Sequence, residues 1–383
     1  MLPDNQLRKV WRAFLTEYYR RKYCRNIVAA MKTKVQKGKG VPKLKPGIAL
    51  SFDDSFRVEH WVKYGKELFG FYDVKVTFNI NAFHHFESER EHSQKEIDLL
   101  LELQSNGHEI AHHGFKHKRA VEYVEEKGLN AWIKDEIESL FDWMSKQSHS
   151  ITNERFKRPV TFAFPNFVYN TAIIQEIVPK YFKIVRGYHK DHNLTPYMHT
   201  GFAPSIDIDR NNLTHPKIIK KIMKLAKKGG KNIILTCHSL LPDEVDWDKY
   251  RWGTEAKEAG KWRISPETIQ YIIKLARKMD MPFYTTSEIA GVATFIDPNF
   301  EECIRKQLNI PDDKWIMIDD LSHIKSLDLS GQGIFNLDGI QYFTHLEYLD
   351  ISENDITDFR LLTKLPYLKH VNRSNNRKVT EVI

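Results

Sequence analysis

The chain has 383 residues, a formal net charge of +8 and a hydrophobic content of 41%, which supports packed cores and excludes a disordered chain. That length allows two domains, or one barrel-sized domain with an appendage. Cys24, Cys237 and Cys303 lack metal-ligand spacing and exclude a disulfide framework, and no apolar run is long enough to span a membrane.

The basic excess lies mainly in residues 8–45 and 217–231. Such a balance suits an acidic glycan, nucleic acid or an anionic membrane about equally. The first residues lack the apolar core of a secretory signal, so a cytoplasmic location is expected. Trp11, Phe14, Tyr18, Ile27 and Met31 recur at helical spacing among Arg and Lys, which predicts a basic amphipathic helix over 7–37. Packing onto its own domain is the plain reading of that helix, and a membrane-surface role is the sharper one. Lys37-Gly38-Lys39-Gly40-Val41-Pro42 reads as a linker.

From Ile48 to about Thr294 short apolar strands alternate with helical stretches. Strands are predicted at 48–52, 74–80, 109–111, 160–164, 232–236 and 283–286. Helices are predicted at 93–105, 129–147, 173–178, 218–228 and 266–278, the last capped by Ser265 with Pro266 at its first position. Repeated strand–helix units argue for a parallel sheet or a (β/α) barrel, whose site lies at the C-terminal ends of the strands.

Beyond Asp297 a 22-residue spacing takes over, linking Leu327, Leu349 and Val371, and also Leu329, Ile351 and Arg373. These lines resemble leucine-rich repeats, periodic units that need a cap at each end. Residues 300–308 are the expected cap helix, and Arg373, standing where an apolar residue is due, marks the array as ending or cut. The expected organisation is a basic helical arm and linker over 1–45, a barrel over 46–296 and a repeat segment over 297–383.

The chemistry starts at Ser51-Phe52-Asp53-Asp54. Adjacent residues of a strand face opposite sides, so two acids at its end can do different work; a polar strand end capping the next helix is the plainer alternative. Downstream runs Gly107-His108-Glu109-Ile110-Ala111-His112-His113-Gly114-Phe115-Lys116-His117. An Asp and two His can hold a divalent metal and leave positions open for water and substrate. His113 and His117 are four apart, but so are His108 and His112, and spacing alone does not choose between the pairs. His238 ends a further apolar run.

These stretches, with Phe162-Ala163-Phe164-Pro165-Asn166 and Leu235-Thr236-Cys237-His238, occur in order, and residues 46–293 resemble the polysaccharide deacetylase family, the NodB-homology carbohydrate esterases. The resemblance implies a distorted (β/α) barrel, so that with the repeats the expected architecture is α/β, a barrel followed by a short C-terminal leucine-rich-repeat domain. It implies a hydrolase acting on carbon–nitrogen bonds other than peptide bonds, with a divalent cofactor, zinc first, and an acetylated glycan as substrate. Carried over residue by residue, Asp54, His113 and His117 would hold the metal. Asp53 would be the general base, His238 the general acid, and the backbone N–H of Asn166, after Pro165, an oxyanion donor.

The chain departs from the family in its third motif, where Ala163 stands at the position of a frequent Arg. Arg186 could orient Asp53 in its place, but is expected at the surface. The nearest candidate for the fourth motif is the stretch from Ser205 to Arg210. Trp247, Trp252 and Trp262 could stack on sugar rings or pack on the barrel. A different class of function is a catalytically degenerate barrel that binds a glycan or protein through its repeats. The basic runs match no nucleic-acid motif, so no nucleic-acid partner is expected.

Overall fold

The computed structural model describes residues 45–84, 90–188, 201–209, 216–242 and 262–376, together with Tyr18, Arg21 and Arg25. Those three are helical and exposed; the rest of the arm predicted over 7–37, the linker at 37–42, and Trp247 and Trp252 lie outside the described residues. No helix among the described residues is long and apolar enough to cross a membrane.

Seven parallel strands close into a barrel in chain order. They are β1 (Ile48–Phe52), β2 (Thr77–Ile80), β3 (Glu109–His112), β4 (Thr161–Ala163), β5 (Ile184–Tyr188), β6 (Phe202–Asp207) and β7 (Ile233–Cys237). β7 closes onto β1 with Ile48 opposite Ile233 and Phe52 opposite Cys237. Nearly every strand residue is buried, as parallel strands covered on both faces must be, which is why β1 and β7 read as near-continuous apolar runs.

Helices α1 (Val58–Phe71), α2 (Gln94–Ser105), α3 (Ala120–Lys127), α4 (Thr171–Ile177), α5 (Pro216–Lys228) and α6 (Pro266–Lys278) belong to the same unit, save the last two residues of α2. α6 is N-capped by Ser265, whose side chain accepts from the N–H of Thr268, as predicted. α5 buries Ile219, Ile222, Met223 and Ala226, and exposes Lys217, Lys220, Lys221, Lys224, Lys227 and Lys228.

The helix predicted over 129–147 has an interruption. Leu129–Trp132 and Ser139–Lys146 are α-helical, but Ile133–Glu138 between them is a π-helix. Trp132 and Phe162, neither exposed, share one apolar cluster with Phe164 and Phe182, where each buried large apolar side chain contributes about 1.5–3 kcal/mol.

Two strand expectations need correction. Residues 283–286 form no barrel strand: only Phe283 bridges to Ile48, and Thr286 opens a helical turn with its N–H on Thr77 Oγ1. Conversely β5 and β6 were not anticipated, because Arg186 in one and Pro204, Ser205 and Asp207 in the other break the apolar run. Their polar side chains are buried because they bond to one another and to the site.

The second unit comprises Gln104–Gly107 and the chain from Ser287 onward. Strands β8 (Ser326–Asp328), β9 (Tyr348–Asp350) and β10 (His370–Asn372) form a parallel three-stranded sheet. Leu327 pairs with Leu349 and Leu349 with Val371, the register set by the 22-residue spacing. Leu327 and Leu349 are buried, whereas Val371 is 37% exposed. Helix α7 (Pro298–Leu308), close to the predicted 300–308, buries Phe300, Cys303 and Ile304 in a cluster with Phe295, Leu329 and Ile351. Asp297 caps it, accepting from the N–H groups of Asn299 and Phe300.

Candidate active site

β1 ends at Phe52, so Asp53 and Asp54 stand at the C-terminal mouth of the barrel. Asp54 takes a left-handed conformation (φ 61°, ψ 91°), uncommon for a residue with a side chain. Through this turn the two carboxylates serve different partners.

Asp53 is 2% exposed and lies among donors. Its N–H donates to the Cys237 carbonyl at 2.8 Å. Asn79 Nδ2 donates to its Oδ1 at 2.8 Å, and Arg186 Nη2 reaches both carboxylate oxygens, 2.5 Å from Oδ1. Arg186 Nη1 donates in turn to Ser205 Oγ and Thr236 Oγ1, at 3.1 and 3.0 Å. The expectation of a surface Arg186 is therefore wrong: it is 1% exposed and forms a buried ion pair with Asp53. A buried charge needs such a partner.

Asp54 faces the histidines. Its Oδ1 lies 3.2 Å from His113 Nε2 and 3.0 Å from His117 Nε2. The three groups offer ligand atoms all within 4.8 Å of one another. The Nδ1 of His113 is 2.8 Å from the Ala163 carbonyl. A carbonyl only accepts, so Nδ1 is the donor in that bond, which leaves Nε2, directed at Asp54, as the ring atom that could ligate a metal. This donor set suits a divalent ion such as zinc, with one carboxylate and two imidazoles. His117 also has a left-handed backbone (φ 58°), at the end of the loop that follows β3.

The other histidine pair has different surroundings. His108 Nδ1 accepts from the N–H of Val76 at 3.2 Å, and His112 is bonded to the N–H of Gly114 and the carbonyl of Ile137. Burial pushes each of these imidazoles down to about 3, so both are neutral core groups.

His238 follows β7. Its Nε2 is 3.7 Å from Asp54 Oδ2, and its Nδ1 bonds the carboxylate of Asp209, which also accepts the His238 N–H at 3.2 Å. Burial alone would lower the imidazole pKa, but Asp209 first, then Asp54 and Asp53, outweigh it and raise it to about 10. The fourth-motif candidate thus contains the partner of His238. The Trp262 ring packs against His238 with centroids 5.2 Å apart.

Pro165 and Asn166 open the turn after β4. Pro165 is buried, Asn166 is exposed, and Asn166 and Phe167 are both left-handed (φ 53° and 56°). The Phe167 ring packs at a tilt against Tyr188, with centroids 4.9 Å apart, and lies over the Arg186 guanidinium, which holds this turn beside β5.

Residues 40–180 match the family model described as polysaccharide deacetylase. That segment holds Asp53, Asp54, His113, His117, Pro165 and Asn166, whereas Arg186, Asp209 and His238 lie beyond it. Among solved structures, the chain is similar to a CE4 esterase of Streptococcus mutans at 11% identity, covering 63% of this chain and 87% of that one, with a TM-score of 0.41. A CE4 family pseudoenzyme from Bacillus anthracis shows 11% identity, coverage of 65% and 66%, and a TM-score of 0.39. An internalin from Listeria monocytogenes is 31% identical over 22% of this chain, with a TM-score of 0.21, and the chain spans 25% of that protein's length. No curated protein sequence matches.

Sequence reasoning offered Arg186 as a partner of Asp53 but favoured a surface position for it, and it missed the contribution of Asn79. A lone Arg beside a glycine, breaking the apolar run after Ile184 and Val185, carries no signal that it is buried. Asn79 sits in the predicted strand over 74–80, and an inward-facing amide in such a strand was the available hint.

Proposed function

We propose that the chain is a metal-dependent hydrolase that removes acetyl groups, N- or O-linked, from a glycan. The observation that carries this reading is the convergence of Asp54, His113 and His117, flanked by the Asp53–Arg186 and His238–Asp209 pairs. Asp54, His113 and His117 would hold the divalent ion, which when bound supplies a Lewis acid for the acyl carbonyl.

Asp53 accepts a proton from the attacking water, while Asn79 and Arg186 hold its carboxylate in place. His238, cationic at neutral pH because Asp209 stands against its Nδ1, delivers a proton from Nε2 to the departing amine or alcohol. The backbone N–H of Asn166 serves the developing oxyanion. One water is consumed, and the products are acetate and the free amine or hydroxyl.

The three-stranded parallel sheet of the second unit, with its 22-residue register, supports assigning residues 297–383 to leucine-rich repeats that engage a glycan or protein partner, beside a barrel over 46–296.

The test is acetate release from a panel of acetylated glycans, by chelated protein with and without added zinc, and by His113→Ala. Zinc-dependent release that His113→Ala abolishes supports the hydrolase. Zinc binding with no release from any glycan would instead favour a barrel that binds without turning over.

A further inference from the structure

The loop that carries His117 is held from one side by a single buried carboxylate. Glu136 is 2% exposed, although its neighbours Lys134, Asp135 and Glu138 are exposed. It lies on the π-helical segment Ile133–Glu138, and such insertions into helices frequently mark functional sites.

The Lys116 N–H donates to both carboxylate oxygens of Glu136, at 3.2 and 3.1 Å, and the Lys118 N–H donates to Oε2 at 3.2 Å. These two residues flank His117. The Glu136 backbone carbonyl accepts from the N–H of Phe115 at 3.0 Å, and the next carbonyl, Ile137, bonds His112 Nε2. Gly114 makes room for the arrangement: a Cβ there would stand 2.7 Å from Glu136 Oε2, and its φ of +82° favours glycine. Among the described residues Glu136 forms no salt bridge, so backbone N–H groups of the loop are what satisfy the buried carboxylate.

We infer that Glu136 is a positioning residue for the metal centre, its carboxylate clamping the backbone on both sides of His117 so that the imidazole meets Asp54 and His113. This rests on the metal reading proposed above. A Gln at this position keeps the shape but turns an NH2 group toward N–H groups that need an acceptor, so the loop loses part of its hold.

The experiment measures zinc affinity of the full chain by competition with a chromophoric chelator, for wild type and Glu136→Gln, together with the visible spectrum of the Co2+-loaded forms. A positioning role predicts a loss of affinity of roughly 10–100-fold, the range typical of groups that orient metal ligands, and an altered Co2+ spectrum in a variant that stays folded. Equal affinity and an identical spectrum overturn the inference. If Glu136→Gln does not fold, Gly114→Ala perturbs the same contact from the loop side and must produce the same loss, or the inference fails. A wild-type chain that binds zinc but releases no acetate sinks the hydrolase reading and leaves this test intact. A chain that binds neither zinc nor cobalt overturns both.

Discussion

Arg186 and Asp53, 133 residues apart in sequence, form a buried ion pair at the mouth of the barrel. Each is almost fully enclosed, so neither charge has water to fall back on. Arg186→Leu should therefore lower stability by about 3–5 kcal/mol, the usual cost of leaving one buried charge without its partner. Denaturant unfolding reads this directly, and a loss below about 1 kcal/mol would show that the pair is dispensable.

Asp53→Asn separates binding from chemistry. Asn keeps the shape and the Asn79 contact but cannot accept a proton, and Asp53 is not among the three groups that converge as ligands. Zinc content should stay at the wild-type level while turnover falls by roughly 10²–10⁴-fold, the range for loss of a general base. Wild-type turnover in this variant would assign the proton transfer to another group.

How far the site was legible depended on where each residue lies. Asp53, Asp54, His113 and His117 follow apolar runs directly, so a strand end could be placed beneath them. Arg186 lies in β5 and Asp209 just past the end of β6, both strands interrupted by polar residues, and their value comes from pairing with Asp53 and His238. Glu136 reads as one more acid on an amphipathic helix. Yet it stands four residues after Trp132 and four before Leu140, both buried, so it falls on the apolar face of the pattern. Helices Val58–Phe71 and Ala120–Lys127 lack a side-chain N-cap bond and went unassigned, whereas the cap at Ser265 was found.

Asp209→Asn should change the titration of His238. In the native protein the Asp209 carboxylate is the main reason the imidazole pKa stands near 10 in spite of burial. The proton on His238 therefore stabilises the fold fully below the ordinary value of 6.5, and that contribution is lost as pH rises toward 10. Without the carboxylate, burial acts with less opposition and the pKa falls. NMR titration of the metal-free protein should show the His238 signal moving at lower pH in the variant, and the alkaline limb of the pH–rate profile should shift the same way. An unchanged titration would mean that Asp54 and Asp53 suffice.

His108 sets a limit on the acid side. Its pKa is lowered from 6.5 to about 3 by burial, with its Nδ1 accepting from Val76. Its contribution to stability is complete above 6.5 and declines as pH falls toward 3, because the unfolded chain takes up the proton first. Across that window the slope is roughly 1.4 kcal/mol per pH unit for each such imidazole. His108→Gln, which retains an acceptor for Val76, should flatten the acid limb of a stability–pH curve by about that slope. Parallel curves for the two proteins would locate the acid sensitivity elsewhere.

The second unit has its own hinge of stability in Asp297, which is fully buried. Its Oδ1 accepts from the N–H groups of Asn299 and Phe300 and so caps the helix Pro298–Leu308, while its Oδ2 accepts from Phe335 and Asn336 at 2.6 and 3.0 Å. One carboxylate thus ties the helix to the loop between the first two strands of the 22-residue array. Asp297→Ala removes the cap, which costs about 0.5–2 kcal/mol by itself, and strands the N–H groups of Phe335 and Asn336, which costs about 1–3 kcal/mol for each one that finds no other partner. Every proposed catalytic and metal-binding residue precedes Asp297 and belongs to the other compact unit. The variant should therefore unfold its repeat segment at lower temperature, seen as loss of amide protection at Leu327 and Leu349 in hydrogen exchange. Zinc affinity and acetate release from small substrates should be unchanged. A parallel loss of zinc binding would show that the barrel depends on the repeats for its fold, and the two-domain division proposed for this chain would then be wrong.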